Sequence, residues 1–432
     1  MYTTYVIFAL SIGFLLWGGK FAGFGKDKFH QDCASLEVTK SLRGFAAIGV
    51  ILHHISQENA FQYANMAKGF GTPGELSFFV NYGYKFVAIF FFCSGFGLIK
   101  SLATKPDYFN GFIKKRIVKT LVIPFYVNVL LYAPFVAFTS PKMPVIQWIT
   151  KFTGLTLMNE YAWYPIVLAI LYLAFYFIFK NIKNRKVCFA LMFLVIFLQG
   201  VFFSITGHRA WWAGPKNWWL DPQLAANARW WMQERVIWFF GEWWVNSGIA
   251  FLIGMIIAHN EEKITAWFKK AYWPKLLLVF VVYFAFNTLQ AFVGMKFGYW
   301  TEFNGQGPGV LNKFVTYCSQ LPQVSMYVIL LYVILMKYHA QNPVSRFFGN
   351  ISLETYMMNL IAITAFRFML YNNQGWPIIK PGHWNLAVYA AAVFAATLLL
   401  AFIYKLCNRL VLKLFDRPKK ITDETKVQNE TV

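Results

Sequence analysis

Residues 41–54 read SLRGFAAIGVILHH. The stretch is apolar enough to lie in a membrane, yet it carries Arg43 and the pair His53-His54. Ionisable groups are costly inside hydrocarbon, so they point to function. Arg43 and His54 lie eleven positions apart. At about 100° per residue that is three turns plus about 20°, so both side chains fall on one helix face, about 16 Å apart along the axis. His53 falls about 80° off that face. The spacing predicts that a guanidinium near one end of a span and an imidazole deeper in face the same cavity. Imidazole accepts and returns a proton near neutral pH, which suits general acid–base work.

The rest of the chain agrees with a membrane setting. Its 432 residues are 58% hydrophobic and 20% aromatic, and only 13% are charged. A soluble domain carries about twice that charged share. Apolar blocks recur near the length that crosses a bilayer. Eleven are readable, at about 5–19, 41–57, 78–99, 120–139, 163–179, 187–206, 236–258, 276–295, 320–338, 351–371 and 385–407. The fold class expected is all-α, a polytopic helical bundle of about eleven transmembrane helices. Residues 5–19 lack the basic flank and cleavage site of a signal peptide and read as a retained span.

The formal net charge of +22 does not indicate nucleic acid, because the basic residues sit between the apolar blocks. One set of connections holds 27 Lys and Arg and the alternating set holds 11. That bias predicts an external N-terminus and a cytoplasmic C-terminus in a bacterial-type plasma membrane. Five scattered cysteines show neither metal spacing nor a disulfide framework, and no metal is expected. His54 and Glu58, four apart, read as a charge pair that orients the imidazole.

Two connections stand out. Residues 114–119, KKRIVK, form a short basic loop. Arg116 and Lys119 are at i and i+3, which places them on one face of an α-helix. Lys115 adds charge, and such groups are the usual ligands of phosphate; plain topology signalling is the other reading. Residues 207–235 hold six tryptophans, among them Trp211 and Trp212. Tryptophan suits both interfacial belts and the stacking of sugar faces. Glu242, with Asn246 at i+4, reads as an interfacial group or as one that orients an acceptor hydroxyl. Ser94 and Gly95 read as close helix packing, or as a place where backbone approaches a substrate.

Six stretches in order carry a resemblance. They are Ser41-Leu42-Arg43-Gly44 with His54, GYKFVAIFFFCSGFGL at 83–98, FIKKRIVKTLVIPFY at 112–126, WYPIVLAILYL at 163–173, FLIGMIIA at 251–258 and FFGNISLETYMMN at 347–359. Together they resemble the acyltransferase-3 family of integral membrane acyltransferases, over roughly 40–410. The resemblance implies a ten-helix core at 40–410. An extra N-terminal helix and loop at 1–39 precede it, and a basic then polar tail at 411–432 follows. It implies transfer of an acyl group, commonly acetyl from acetyl-CoA, to a hydroxyl of a cell-envelope glycan or lipid-linked sugar. Arg43 and His54 would be the catalytic pair, and Arg116, Lys115 and Lys119 would help hold coenzyme A. Two departures matter. Lys119 stands where the family carries a second arginine, which keeps charge and loses the bidentate fork. Asn359 stands where many members carry histidine, and an amide cannot shuttle a proton at neutral pH. A transporter or flippase of a polar solute, or a non-catalytic glycan-binding relative, is the alternative reading of the same residues.

Overall fold

The computed structural model describes residues 2–67, 76–141, 143–206, 238–239, 241–299, 309–369 and 383–415. Most of these are helical. The chain runs α1 (Tyr2–Leu16), α2 (Leu36–Ala67), α3 (Ser77–Val80) and α4 (Gly83–Thr104). A π-helical turn, Ile113–Val122, then runs straight into α5 (Ile123–Thr139). After these come α6 (Val145–Thr153), α7 (Trp163–Asn181), α8 (Arg185–Thr206), α9 (Ile249–His259), α10 (Glu261–Lys269), α11 (Tyr272–Lys296) and α12 (Val310–Leu335). The chain closes with α13 (Pro343–Gly349), α14 (Ser352–Ala365) and α15 (His383–Phe415). Among the described residues seven helical stretches are long and apolar enough to cross a membrane. They are α4, the π turn with α5, α7, α8, α11, α12 and residues 386–415 of α15. The helix α2 is longer and more polar than the predicted span 41–57, and α1, α9 and α14 are shorter than a full crossing.

One predicted span is broken. Within 236–258 the described chain forms only a single 3-10 turn, Glu242–Trp244, before α9 begins at Ile249. Gly241, Asn246, Ser247 and Gly248 supply the small and polar residues for this irregular stretch. Non-helical backbone at membrane depth is tolerated where it lines a cavity, and this segment does so.

Lipid tails are as apolar as leucine, so helices associate there through close packing rather than through exclusion of water. Two glycine crossings provide it. A Cβ on Gly95 of α4 would lie 2.0 Å from the Phe251 carbonyl oxygen, and one on Gly254 of α9 would lie 2.3 Å from that of Phe92. The two backbones therefore touch, with Phe91, Phe92 and Phe251 packed around them in the core. In the same way Gly44 of α2 meets the Ser345 carbonyl, and Gly349 of α13 meets that of Lys40. The Ser41 and Ser345 hydroxyls join 2.5 Å apart at this second crossing. An Asn342–Ser345 capping box starts α13. These contacts fix the roll of α2, and hence where Arg43 and His54 point.

A two-residue antiparallel pair, Lys20–Phe21 with Tyr338–His339, ties the segment after α1 to the end of α12. Lys337 holds that segment down by donating to the carbonyls of Gly23, Gly25 and Lys28 at 3.0, 2.6 and 2.6 Å.

Candidate active site

His54 is 9% exposed and points into the bundle from the middle of α2. Its Nδ1 lies 3.1 Å from Oδ1 of Asn359 on α14. The hydrogen-bond pattern fixes the proton. Asn359 Nδ2 donates to the Tyr356 carbonyl at 3.1 Å, an atom that can only accept. The amide therefore presents its oxygen to the imidazole, and Nδ1 must carry the hydrogen. In the neutral ring this leaves Nε2 with a lone pair. Asn359 cannot shuttle a proton, but it sets which nitrogen of His54 can.

Below the ring, Tyr161 stacks on His54 with centroids 3.8 Å apart and an angle of 21°. Burial, with Glu160 and Glu58 nearby, pushes the Tyr161 phenol up, so this ring stays neutral. Asn159 accepts the Tyr161 backbone N–H at 3.0 Å, and Tyr356 donates its hydroxyl to the Tyr161 carbonyl. Asn128 and Asn159 both donate to the Met357 carbonyl, at 3.0 and 2.9 Å. Imidazole, stacking ring and α14 are thus one hydrogen-bonded unit.

His53 also borders the cavity. Its Nδ1 lies 2.9 Å from the Phe79 carbonyl and therefore donates to it. Its Nε2 abuts the backbone of Gly83, where a Cβ would come within 2.3 Å of it. Of the two adjacent histidines, His53 thus has its Nδ1 bound to the Phe79 carbonyl and its Nε2 crowded by the Gly83 backbone.

The expected pairing of His54 with Glu58 is corrected. Glu58 binds Arg367, at 2.8 Å between Oε1 and Nε and 3.0 Å between Oε2 and Nη2, and the imidazole takes the neutral Asn359.

A cavity of about 440 Å³ opens beside His54. Its wall includes His53, Tyr84, Tyr161, Glu242, Tyr299 and Gln320. Glu242 reaches it from the broken segment before α9, together with Asn246, so this sequence-selected acid does meet His54 in one chamber. Burial first, and Glu242 next, push the Tyr299 phenol up; its hydroxyl donates to Gln320 at 2.5 Å.

Arg43 does not line this cavity, contrary to the expectation of one shared lumen. It acts electrostatically on Cys93, Tyr164 and Tyr172. Ser94 belongs to the same group, 3.4 Å from the Tyr172 hydroxyl. Between the two centres stand Tyr356, which lines the cavity, and Tyr164, with ring centroids 5.7 Å apart. The helix-face argument brought both residues to the interior; aromatic rings from α7 and α14 divide the space between them.

Arg116 extends the Arg43 group. It acts on Tyr172 and sits beside the Tyr108 phenol, whose burial-driven rise it opposes. The segment Ile113–Val122 is π-helical, so residues four and five apart stack, rather than three and four. This corrects the shared face of Arg116 and Lys119. Arg116 turns inward, while Lys115 and Lys119, four apart, follow another side. Lys115 is exposed, and Arg116 and Lys119 are half-buried. Trp211 and Trp212 lie outside the described residues.

The sequence reading missed Lys85. It is 6% exposed, and its ammonium donates to Tyr283 at 2.9 Å and to Asn287 at 3.0 Å. A lysine near the start of the apolar stretch 83–98 was the available signal.

The class these features define is a multi-pass membrane protein with a buried, tautomer-fixed histidine beside a polar chamber. The family model described as an acyltransferase domain matches residues 40–406, and the chain belongs to that family, acyltransferase-3. Comparison with curated proteins and with solved structures returned no match.

Proposed function

We propose that this protein is an O-acyltransferase. It takes an acyl group, acetyl being the simplest, from acyl-CoA on the cytoplasmic side. It passes that group to a hydroxyl of an envelope glycan or lipid-linked sugar at the outer face of a bacterial-type plasma membrane. The observation that carries the reading is His54 Nε2, left as an acceptor beside the cavity by the Asn359 bond. The basic bias of one set of loops supports the orientation.

In this reading Nε2 removes the proton of the acceptor hydroxyl, and the oxygen attacks the thioester carbonyl carbon. The carbon–sulfur bond breaks, and the imidazolium returns its proton to the departing thiolate. General-base assistance of this kind contributes about 10²–10⁴-fold. Arg116, Lys115 and Lys119 meet the phosphates of coenzyme A, with Arg43 further in. The pantetheine arm must then pass Tyr164 and Tyr356, the two rings that separate Arg43 from the chamber. The alternative, in which His54 itself carries the acyl group, uses the same nitrogen.

The test is acyl transfer by full-length protein in proteoliposomes supplied with labelled acetyl-CoA and an envelope glycan extract. Label in the glycan fraction supports the reading. Movement of solute with no acyl donor would favour the transporter reading.

A further inference from the structure

Lys85 plays no part in the chemistry above. It sits near the start of α4, and its side chain crosses to α11, where Tyr283 and Asn287 accept its protons at 2.9 and 3.0 Å. The Tyr82 ring faces it at 4.3 Å. An ammonium has three protons to give, and both acceptors here are neutral. Among the described residues no carboxylate lies within ion-pair distance of it. A cation buried among neutral groups alone is costly.

An unsatisfied group lies next to it. Asn287 Oδ1 also accepts from Gln323 Nε2 at 2.9 Å, and the same nitrogen reaches the Tyr84 hydroxyl at 2.6 Å. Gln323 is 1% exposed, and its Oε1 has no partner among the described residues. Tyr84 lines the His54 chamber, so the network links Lys85 to the chamber wall.

We infer that Lys85, with Tyr82, Asn287 and Gln323, is a binding site for the phosphate of a lipid-linked acceptor. Lys85 supplies charge and a spare N–H to the phosphate, and Gln323 Oε1 accepts from a hydroxyl. The place of the site selects a lipid phosphate over an anionic sugar. Glu160 and Glu242 border the chamber itself and oppose an anion there. The helix α11, which Lys85 reaches, by contrast leaves Leu277, Phe280 and Phe284 exposed, a face apolar enough for lipid. A lipid tail lies along that face while the attached sugar reaches His54. The anion site stands on the burial of Lys85; its link to the acceptor rests on the acyl-transfer reading.

The test is native mass spectrometry of the full-length protein in neutral detergent, so binding is read apart from any acyl transfer. The probes are a polyprenyl monophosphate, the matching uncharged polyprenol and inorganic phosphate. Wild type is expected to retain the monophosphate about tenfold better than the alcohol, as a charge-assisted hydrogen bond provides. Lys85→Met removes that preference and Lys85→Arg keeps it. Equal retention of monophosphate and alcohol by wild type overturns the site, whether or not Lys85→Met folds. Unchanged retention in a folded Lys85→Met does the same. Displacement of the lipid by an equal concentration of inorganic phosphate overturns the lipid assignment in favour of a free anion.

Discussion

His54 donates its Nδ1 proton to the side-chain carbonyl of Asn359, 3.1 Å away and 305 positions later in the chain. The bond joins α2 to α14 and determines which nitrogen of the imidazole is basic. Replacing Asn359 with leucine removes the acceptor and frees the tautomer. Acyl transfer is expected to fall about a hundredfold, within the range of general-base effects, with acyl-CoA binding unchanged. Kinetics alongside a direct binding measurement checks this. Equal loss of both would show a role in folding instead.

The α4–α9 crossing depends on two glycines. Gly95→Ala and Gly254→Ala each place a methyl within 2.0–2.3 Å of a backbone carbonyl oxygen on the other helix. Backbone cannot step aside as a flexible side chain can. Each change is expected to cost about 1–3 kcal/mol, read as a lower thermal midpoint in detergent. The double variant should cost less than the sum, because one shift of the helices relieves both clashes.

Arg116 turns inward from the π-helical turn toward Tyr108 and Tyr172. Arg116→Ala is expected to weaken acyl-CoA binding about tenfold, the scale of one charged hydrogen bond to phosphate. Lys115→Ala, at an exposed position, should weaken it less. Titration of purified protein with a non-hydrolysable acyl-CoA separates the two. If Arg116→Ala binds normally, the loop serves topology alone.

His339 offers a pH test outside the spans. Burial, then the stacked His30 ring, pushes it down to about 4 from the usual 6.5. The unfolded chain therefore binds more protons here between those values, and stability falls as pH drops from about 6.5 toward 4. His339→Gln should flatten the fall in thermal midpoint across that window. An unchanged slope would mean that other groups set it.

The amphipathic logic of 41–54 was legible because burial of an imidazole in an apolar helix depends on local pattern alone. It carried His54 to the chamber. It did not separate Arg43 from that chamber, because the dividing rings, Tyr164 and Tyr356, arrive from two other helices. Glu58 at i+4 looked like the partner of His54; the actual partner of Glu58, Arg367, lies 309 positions away and no local spacing reports it. Asn359 was visible as a departure from a family pattern, but its role in fixing the imidazole proton needs the Tyr356 carbonyl. The break in 236–258 is signalled by Gly241, Asn246, Ser247 and Gly248, small and polar residues inside an otherwise apolar stretch long enough to span. Lys85 carries no local spacing signal, and only its neighbours on α11 and α12 show what surrounds it.

The most direct measurement compares His54→Ala, His53→Ala and wild type in the proteoliposome transfer assay, with acyl-CoA binding measured on the same samples. His54→Ala is expected to lose transfer by at least about a hundredfold while still binding acyl-CoA. His53→Ala should keep most of it, because the His53 Nδ1 is bound to the Phe79 carbonyl and its Nε2 is crowded by Gly83. Transfer that survives the loss of His54, or that disappears equally with either histidine, would contradict the account.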